Sequence, residues 1–191
     1  MRRYSSGVAL AAALAACQVA DRGASASPST YGLGIPATAA DIAALNTDVS
    51  PSGEGLPKGS GDATRGAALY QAQCATCHGA SGEGIAPNPP LVGREPREGF
   101  PFGNDPKLVR TVGNYWPEAT TLFDYIKRTM PLSAPGSLSD EDVYSLTAHL
   151  LVANEILPAG ASLDSASLVA VRMPARDRFV PDDRRGGREV R

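Results

Sequence analysis

In 191 residues the chain has only three cysteines, three methionines, two histidines and one tryptophan. Three cysteines, two of them neighbours at Cys74 and Cys77, cannot build a disulfide framework, so the fold must rest on a packed core. The formal net charge is only −2, which gives no reason to expect a nucleic-acid partner. The apolar run from Val8 to Ala16 (VALAAALAA) is too short to span a bilayer. No segment alternates convincingly enough to be a strand, and no internal repeat is visible. Glycine and proline, by contrast, are plentiful at 20 and 16 residues. That abundance predicts a compact core flanked by irregular arms.

The N-terminus has the layout of an export signal: Met1-Arg2-Arg3, the apolar run, then Leu14-Ala15-Ala16-Cys17. The last four residues resemble a bacterial lipobox. That resemblance implies cleavage before Cys17, acylation of Cys17, and a lipid anchor at a membrane surface. Plain secretion with a cut after Ala16 or Ala20 is the alternative. Either way the sequence predicts an exported, periplasmic protein. Residues 1–16 are then the signal peptide and 17–61 a tether and irregular arm. Within that arm Ala39–Leu45 suits a short helix, and SPSGEGLPKGSG (50–61) has linker composition.

Order is expected from residue 62 to 157. Asp62 is an N-cap for a helix running to Gln73. On it Gly66 and Tyr70 share a face at i and i+4, with Leu69 alongside. A second helix is expected over Thr121–Thr129. The clearest begins after Ser139, an N-cap with Asp142 at N3, and carries the stripe Val143, Leu146, Leu150 and Leu151. Residues 158–191 form an Arg-rich tail, with seven arginines against four acids from residue 172 onward. Such a tail is either solvated or a basic docking segment.

The chemistry is concentrated in Cys74-Ala75-Thr76-Cys77-His78. This C-x-x-C-H run is the attachment signal for haem c. Two thiols two residues apart reach the two vinyl groups of one porphyrin, and the next residue places an imidazole under the iron. A thioredoxin-type dithiol would need a βαβ setting, which is missing. A zinc site would have to use Cys74, Cys77, His78 and His149. Adjacent Cys77 and His78 close poorly on one tetrahedral ion, and His149 brings no second ligand pair. One C-x-x-C-H means one haem.

With these residues the chain resembles class I cytochromes c, so the expected fold class is all-α: helices around one covalent haem, with long irregular arms. The resemblance implies a methionine as sixth ligand. Met130 lies before the last helix and is followed by Pro131; Met173 lies after it. Met130 is the expected ligand, and Met173 the alternative. Pro89-Pro90-Leu91 resembles the family segment that receives a hydrogen bond from the proximal imidazole. Pro90 is the expected acceptor, and Leu91 the expected wall of the porphyrin. Tyr115 and Trp116 are expected near the haem propionates, with Arg110 a further contributor. Packing is the plainer reading of both aromatics. His149 departs from the family pattern; it could pack, face solvent or compete for iron.

The runs VGNYWPEATTLFDYIKRTMP, PGSLSDEDVYSLTAHLL and VRMPARDRFVPD are similar to the cytochrome c subunits of bacterial sulfite dehydrogenases and to the haem subunit of the Sox sulfur dehydrogenase. The arm YGLGIPATAADI (31–42) fits the same subgroup. The similarity implies an electron-transfer haem protein that is not itself an enzyme. It would receive single electrons from a molybdopterin sulfite-oxidase-type partner and pass them to a downstream acceptor. Two alternatives stay open: a generic lipid-tethered carrier feeding a terminal oxidase, and a haem enzyme acting on a small substrate such as peroxide or thiosulfate.

Overall fold

The structure is a computed structural model, described over residues 33–180. The expected signal segment, Cys17 and the rest of residues 1–32, and residues 181–191 lie outside the described residues. The chain divides into a unit ending at Thr38 and a unit beginning at Ala39.

In chain order the second unit contains α1 (Ala39–Leu45), β1 (Ser60–Asp62), α2 (Ala63–Gln73), α3 (Ala75–His78), α4 (Ala119–Thr129), α5 (Asp140–Ala153), β2 (Ser162–Asp164) and α6 (Ser165–Ala170). Asp62 caps α2, its carboxylate accepting from the Thr64 and Arg65 N–H groups at 2.9 Å each. Ser139 caps α5 by accepting from the Asp142 N–H at 3.2 Å. The Asp142 carboxylate then takes Arg65 of α2 at 2.5 Å, clamping the ends of the two helices together. Helix α4 begins at Ala119, two residues before the expected start.

Helices α2 and α5 cross at Gly66. A Cβ on Gly66 would stand 1.9 Å from the Ser145 carbonyl oxygen, so only a hydrogen fits there. Helix α5 is the centre of the molecule. Its expected stripe is buried, but so are Tyr144, Ser145, Thr147 and Ala148 on the other sides. The hydroxyls of Ser145 and Thr147 donate back to the carbonyls of Glu141 and Val143, so their burial leaves no polar group stranded. Phe123 of α4 packs on Tyr144 with ring centroids 4.6 Å apart.

Two expectations need correction. The strictly all-helical architecture gains a two-stranded antiparallel sheet, with Ser60 opposite Asp164, Gly61 opposite Leu163 and Asp62 opposite Ser162. Three residues a side, polar but for Leu163, are too short to show a periodic signal. Pairing across about a hundred residues of chain is a tertiary event. The flanking segments are also less detached than their composition suggests. The Val49 N–H donates to Asp124 of α4 at 2.8 Å, and Val49 is buried. The Thr120 hydroxyl donates to the Pro51 carbonyl at 3.0 Å, and the Tyr144 hydroxyl to the Pro57 carbonyl at 2.8 Å. Beyond residue 157, Leu163, Leu168, Val171 and Met173 all join the main core. Helix α6 is opened by a capping box between Asp164 and Ser167. The first part of the Arg-rich segment is therefore a strap built into the core. Helix α1 forms where expected but buries none of its residues.

Candidate functional site

Helix α2 ends where the C-x-x-C-H run begins. The Cys74 N–H closes the helix on the Tyr70 carbonyl at 2.9 Å, and the Cys74 carbonyl accepts from the N–H groups of Cys77 (3.1 Å) and His78 (2.9 Å). One tight turn, α3, therefore presents both thiols and the imidazole. Neither cysteine is in a disulfide; Cys74 is half-buried and Cys77 exposed. Burial, and after it the neighbouring Cys77, push the Cys74 thiol upward in pKa.

His78 is oriented from the loop that follows. Its Nδ1–H donates to the carbonyl of Pro89 at 2.8 Å. A carbonyl can only accept, so the bond places the proton on Nδ1 and leaves the Nε2 lone pair for a metal. The acceptor is Pro89, not the expected Pro90, because of how the loop folds. Gly84, at φ +82°, donates its N–H to the His78 carbonyl at 2.7 Å. A Cβ there would meet the Pro90 nitrogen at 2.6 Å. The Gly82 carbonyl accepts from Leu91 and Val92 at 2.8 and 3.0 Å. With the chain pinned on both sides, the peptide oxygen of Pro89 is the one aimed at the ring. Glu83 completes the loop: its carboxylate accepts the Ser81 N–H at 2.8 Å, and backbone N–H groups hold it below the usual carboxylate range.

Asn154, the C-cap of α5, ties this loop to the core, and sequence reasoning missed it. It is fully buried, accepts from the Gly93 N–H at 2.9 Å, and donates to the carbonyls of Leu91 (3.1 Å) and Leu150 (2.9 Å). Its position after a long helix could have suggested a C-cap, but nothing in sequence names a partner sixty residues away.

The other expected residues divide into two groups. Met130 (the C-cap of α4), Trp116, Leu91 and Cys74 are all partly buried and pack against the same core cluster. Met173 is 2 % exposed and sits inside that core. Of the two methionines, only Met130 keeps an open face. The Trp116 Nε1–H is engaged by Thr121 Oγ1 at 2.9 Å, so in this structure the indole lends its ring rather than a free donor. Tyr115 belongs to a separate aromatic group: it stacks on Phe100 at 5.5 Å and meets Phe102 and Phe179 edge-on at 5.1 and 5.4 Å. Arg110 lies over its ring at 4.7 Å. His149 packs against Tyr70 at the α2–α5 crossing, with centroids 5.2 Å apart, and burial lowers its pKa. Among the described residues no group of three or more His, Cys, Asp or Glu side chains is arranged to hold a metal ion.

The donor set fits haem c. Two free thiols and an imidazole with a directed lone pair share one turn, and a thioether with an open face lies on the same core as the apolar wall formed by Leu91 and Trp116. Zinc chemistry would need more ligands than this group offers. Fold and site together define a cytochrome c domain, mostly helical, with one covalently bound haem c.

The comparisons with known proteins agree. Residues 61–150 match the family described as cytochrome c oxidase, cbb3-type, subunit III. The chain is 37 % identical over 90 residues to the thiosulfate dehydrogenase of Allochromatium vinosum, covering 47 % of this chain and 31 % of that protein. It is 32 % identical over 99 residues to the thiosulfate dehydrogenase of Stutzerimonas stutzeri, covering 49 % and 28 %. The match thus spans less than a third of either curated relative. A chain in the crystal structure of the sulfane dehydrogenase SoxCD from Paracoccus pantotrophus superposes with a TM-score of 0.70 and 38 % identity. That match covers 80 % of this chain and 73 % of that one. The protein belongs to the cytochrome c family, as a monohaem member related to the haem subunits of Sox-type sulfur dehydrogenases.

Proposed function

We propose that this cytochrome accepts single electrons from a molybdenum-dependent sulfite or sulfane-sulfur dehydrogenase and passes them to the respiratory chain. Cys74 and Cys77 would hold the haem through two thioethers, and His78, through Nε2, and Met130 would supply the ligands to its iron. The haem supplies a one-electron couple. The chain's residues tune and shield it. The Pro89 carbonyl fixes the orientation of His78 and raises its donor strength. A Met130 thioether on the iron would favour the ferrous form and a relatively high potential. Leu91 and Trp116 keep the site apolar. Tyr115 and Arg110, joined by ring and guanidinium, stand as the polar group nearest in sequence to Trp116 for the propionates.

The observation that carries this reading is the extent of the SoxCD match. It covers 80 % of the chain, whereas the cytochrome family match stops at 61–150. The likeness therefore includes flanking segments that a generic carrier does not need. The test is to mix ferric protein with a purified molybdenum-dependent sulfite or sulfane-sulfur dehydrogenase and add that enzyme's substrate. Rapid appearance of the ferrous spectrum is expected; a spectrum that stays ferric while the dehydrogenase turns over another acceptor sinks the proposal.

Export belongs to the same proposal. The leader would be cut before Cys17 and the acylated cysteine would hold the protein at a membrane facing the periplasm. Among the described residues no helix is long and apolar enough to cross a membrane. Cys17→Ala should release the protein to the soluble periplasmic fraction; unchanged membrane association removes the lipid anchor.

The names of the two curated relatives favour a second reading, in which the haem itself oxidises thiosulfate. It requires a sixth position that opens to substrate. Reduction of the purified ferric protein by thiosulfate alone would establish it.

A further inference from the structure

Among the described residues, some arginines of the loop after the haem motif and of the C-terminal strap are matched by acids, while Arg94, Arg110 and Arg178 are not. Arg97 is paired with Glu95 at 3.0 Å and Glu155 at 2.9 Å. On the strap, Arg172 pairs with Asp177 at 2.5 Å and Arg176 with Glu118 at 3.3 Å. Arg94 and Arg178 have no acidic partner among the described residues. Both line one cleft of about 40 Å³, walled also by Phe100, Gly113, Asn114, Pro174 and the acid-paired Arg97. The Arg94 Nε–H is buried and has no hydrogen-bond partner. Leaving a charged donor buried and unanswered costs more than a neutral orphan would, so a site that keeps one is built for an acceptor.

The strap is held in place over this cleft. Met173 and Ala175 are each 2 % exposed, and Phe179 meets Phe100 edge-on at 5.6 Å. Arg178 stands between the Ala175 and Phe179 anchors, and its N–H closes a turn on the Ala175 carbonyl at 2.9 Å. The backbone that carries Arg178 is thus positioned independently of any ligand, and the residue lines the same cleft as Arg94. The space takes a group a few water molecules in size, which matches a carboxylate or small oxyanion and excludes anything larger.

We propose that Arg94 and Arg178 form a two-guanidinium seat for a carboxylate or small oxyanion, and that the C-terminal strap completes it. This goes beyond the electron-transfer reading and stands whichever donor the cytochrome serves. The anionic group has two sources: a propionate of the covalent haem, or a dissolved oxyanion such as sulfate or sulfite.

The test uses full-length holoprotein as wild type, Arg94→Gln, Arg178→Gln and Arg178→Lys. Midpoint potential is measured from pH 5 to 8, and melting temperature as chloride is exchanged for sulfate at constant ionic strength. A propionate source predicts that both glutamine variants shift the pH at which the potential changes slope, in chloride alone, with Lys restoring part of it. A dissolved source predicts saturable stabilisation of the wild type by sulfate, weakened roughly tenfold in Arg178→Gln. Arg178 is exposed, so its replacement tests the seat even if Arg94→Gln folds poorly. Wild-type pH profiles in the Arg178 variants, together with no sulfate response in the wild type, overturn the proposal. A response confined to Arg94→Gln overturns the role of the strap.

Discussion

The hydroxyl of Tyr70 donates to the carbonyl of Gly79 at 2.9 Å. Tyr70 lies at the α2–α5 crossing, and Gly79 follows His78 directly. One hydrogen bond therefore ties the helix crossing to the turn that carries the C-x-x-C-H residues. Tyr70 and Gly79 are both buried, so no water can replace the bond cheaply. Tyr70→Phe should cost about 1–3 kcal/mol in urea unfolding. Unchanged stability would show that the Gly79 carbonyl finds another donor.

The same burial sets an alkaline limit. Burial pushes the phenols of Tyr70 and Tyr144 up to about 12. Each raised value means that the folded state favours the neutral phenol. The stabilisation is intact below the unfolded value, about 10, and is lost as pH rises through the folded value. Stability should fall between pH 10 and 12, and Tyr70→Phe should flatten that fall; a wild-type slope in the variant contradicts the assignment.

The two methionines should separate cleanly. Met130→Ala should abolish the ferric methionine-to-iron absorption band and lower the midpoint potential, since the half-buried thioether is the proposed ligand. Met173→Ala should leave the band in place and cost about 2–5 kcal/mol, since it opens a cavity in the core. Reversed results would exchange the two roles.

Gly66→Ala tests the helix crossing. The added methyl would fall 1.9 Å from the Ser145 carbonyl oxygen, so α2 and α5 must separate. A loss of about 1–3 kcal/mol is expected from overpacking, read by thermal unfolding. A neutral effect would mean that the helices shift freely.

Asp124 should give an acid signature. Burial raises its pKa, but Arg128 and the Val49 N–H outweigh that and leave it lowered overall. A lowered carboxylate stabilises the fold above its unfolded pKa and loses that contribution as pH falls through the folded value. Asp124→Asn should therefore reduce the loss of stability below about pH 4 and speed proteolysis near residues 50–58, where the arm is held by Val49. Identical acid titrations would remove Asp124 from the account.

Much was legible in the sequence because it was local. The C-x-x-C-H run, the Asp62 and Ser139 caps and the stripe of α5 each depend on residues within one or two turns, and the structure has them at those positions. Helix α1 was visible for the same reason. Pro89 in place of Pro90 marks the limit. Which carbonyl of a Pro-Pro pair meets an imidazole depends on how Gly82 and Gly84 close the loop, not on either proline. Tyr115 shows the same limit: its neighbours Phe100, Phe102 and Phe179 come from segments up to 64 positions away along the chain. The flanking arms were misleading in composition. Gly, Pro and Arg describe a solvated chain, yet a few well-placed apolar residues such as Val49, Leu163 and Met173 suffice to dock them.

The sequence by itself determined the C-x-x-C-H spacing that implies one covalent haem c, since covalent attachment needs only a short spacing. Tertiary structure alone decided that Asn154 ties the loop after His78 to α5, that Met173 is core while Met130 stays open, and that Arg94 and Arg178 line one cleft. Each of these joins residues tens of positions apart, and chain spacing carries no information about which distant groups share a desolvated space.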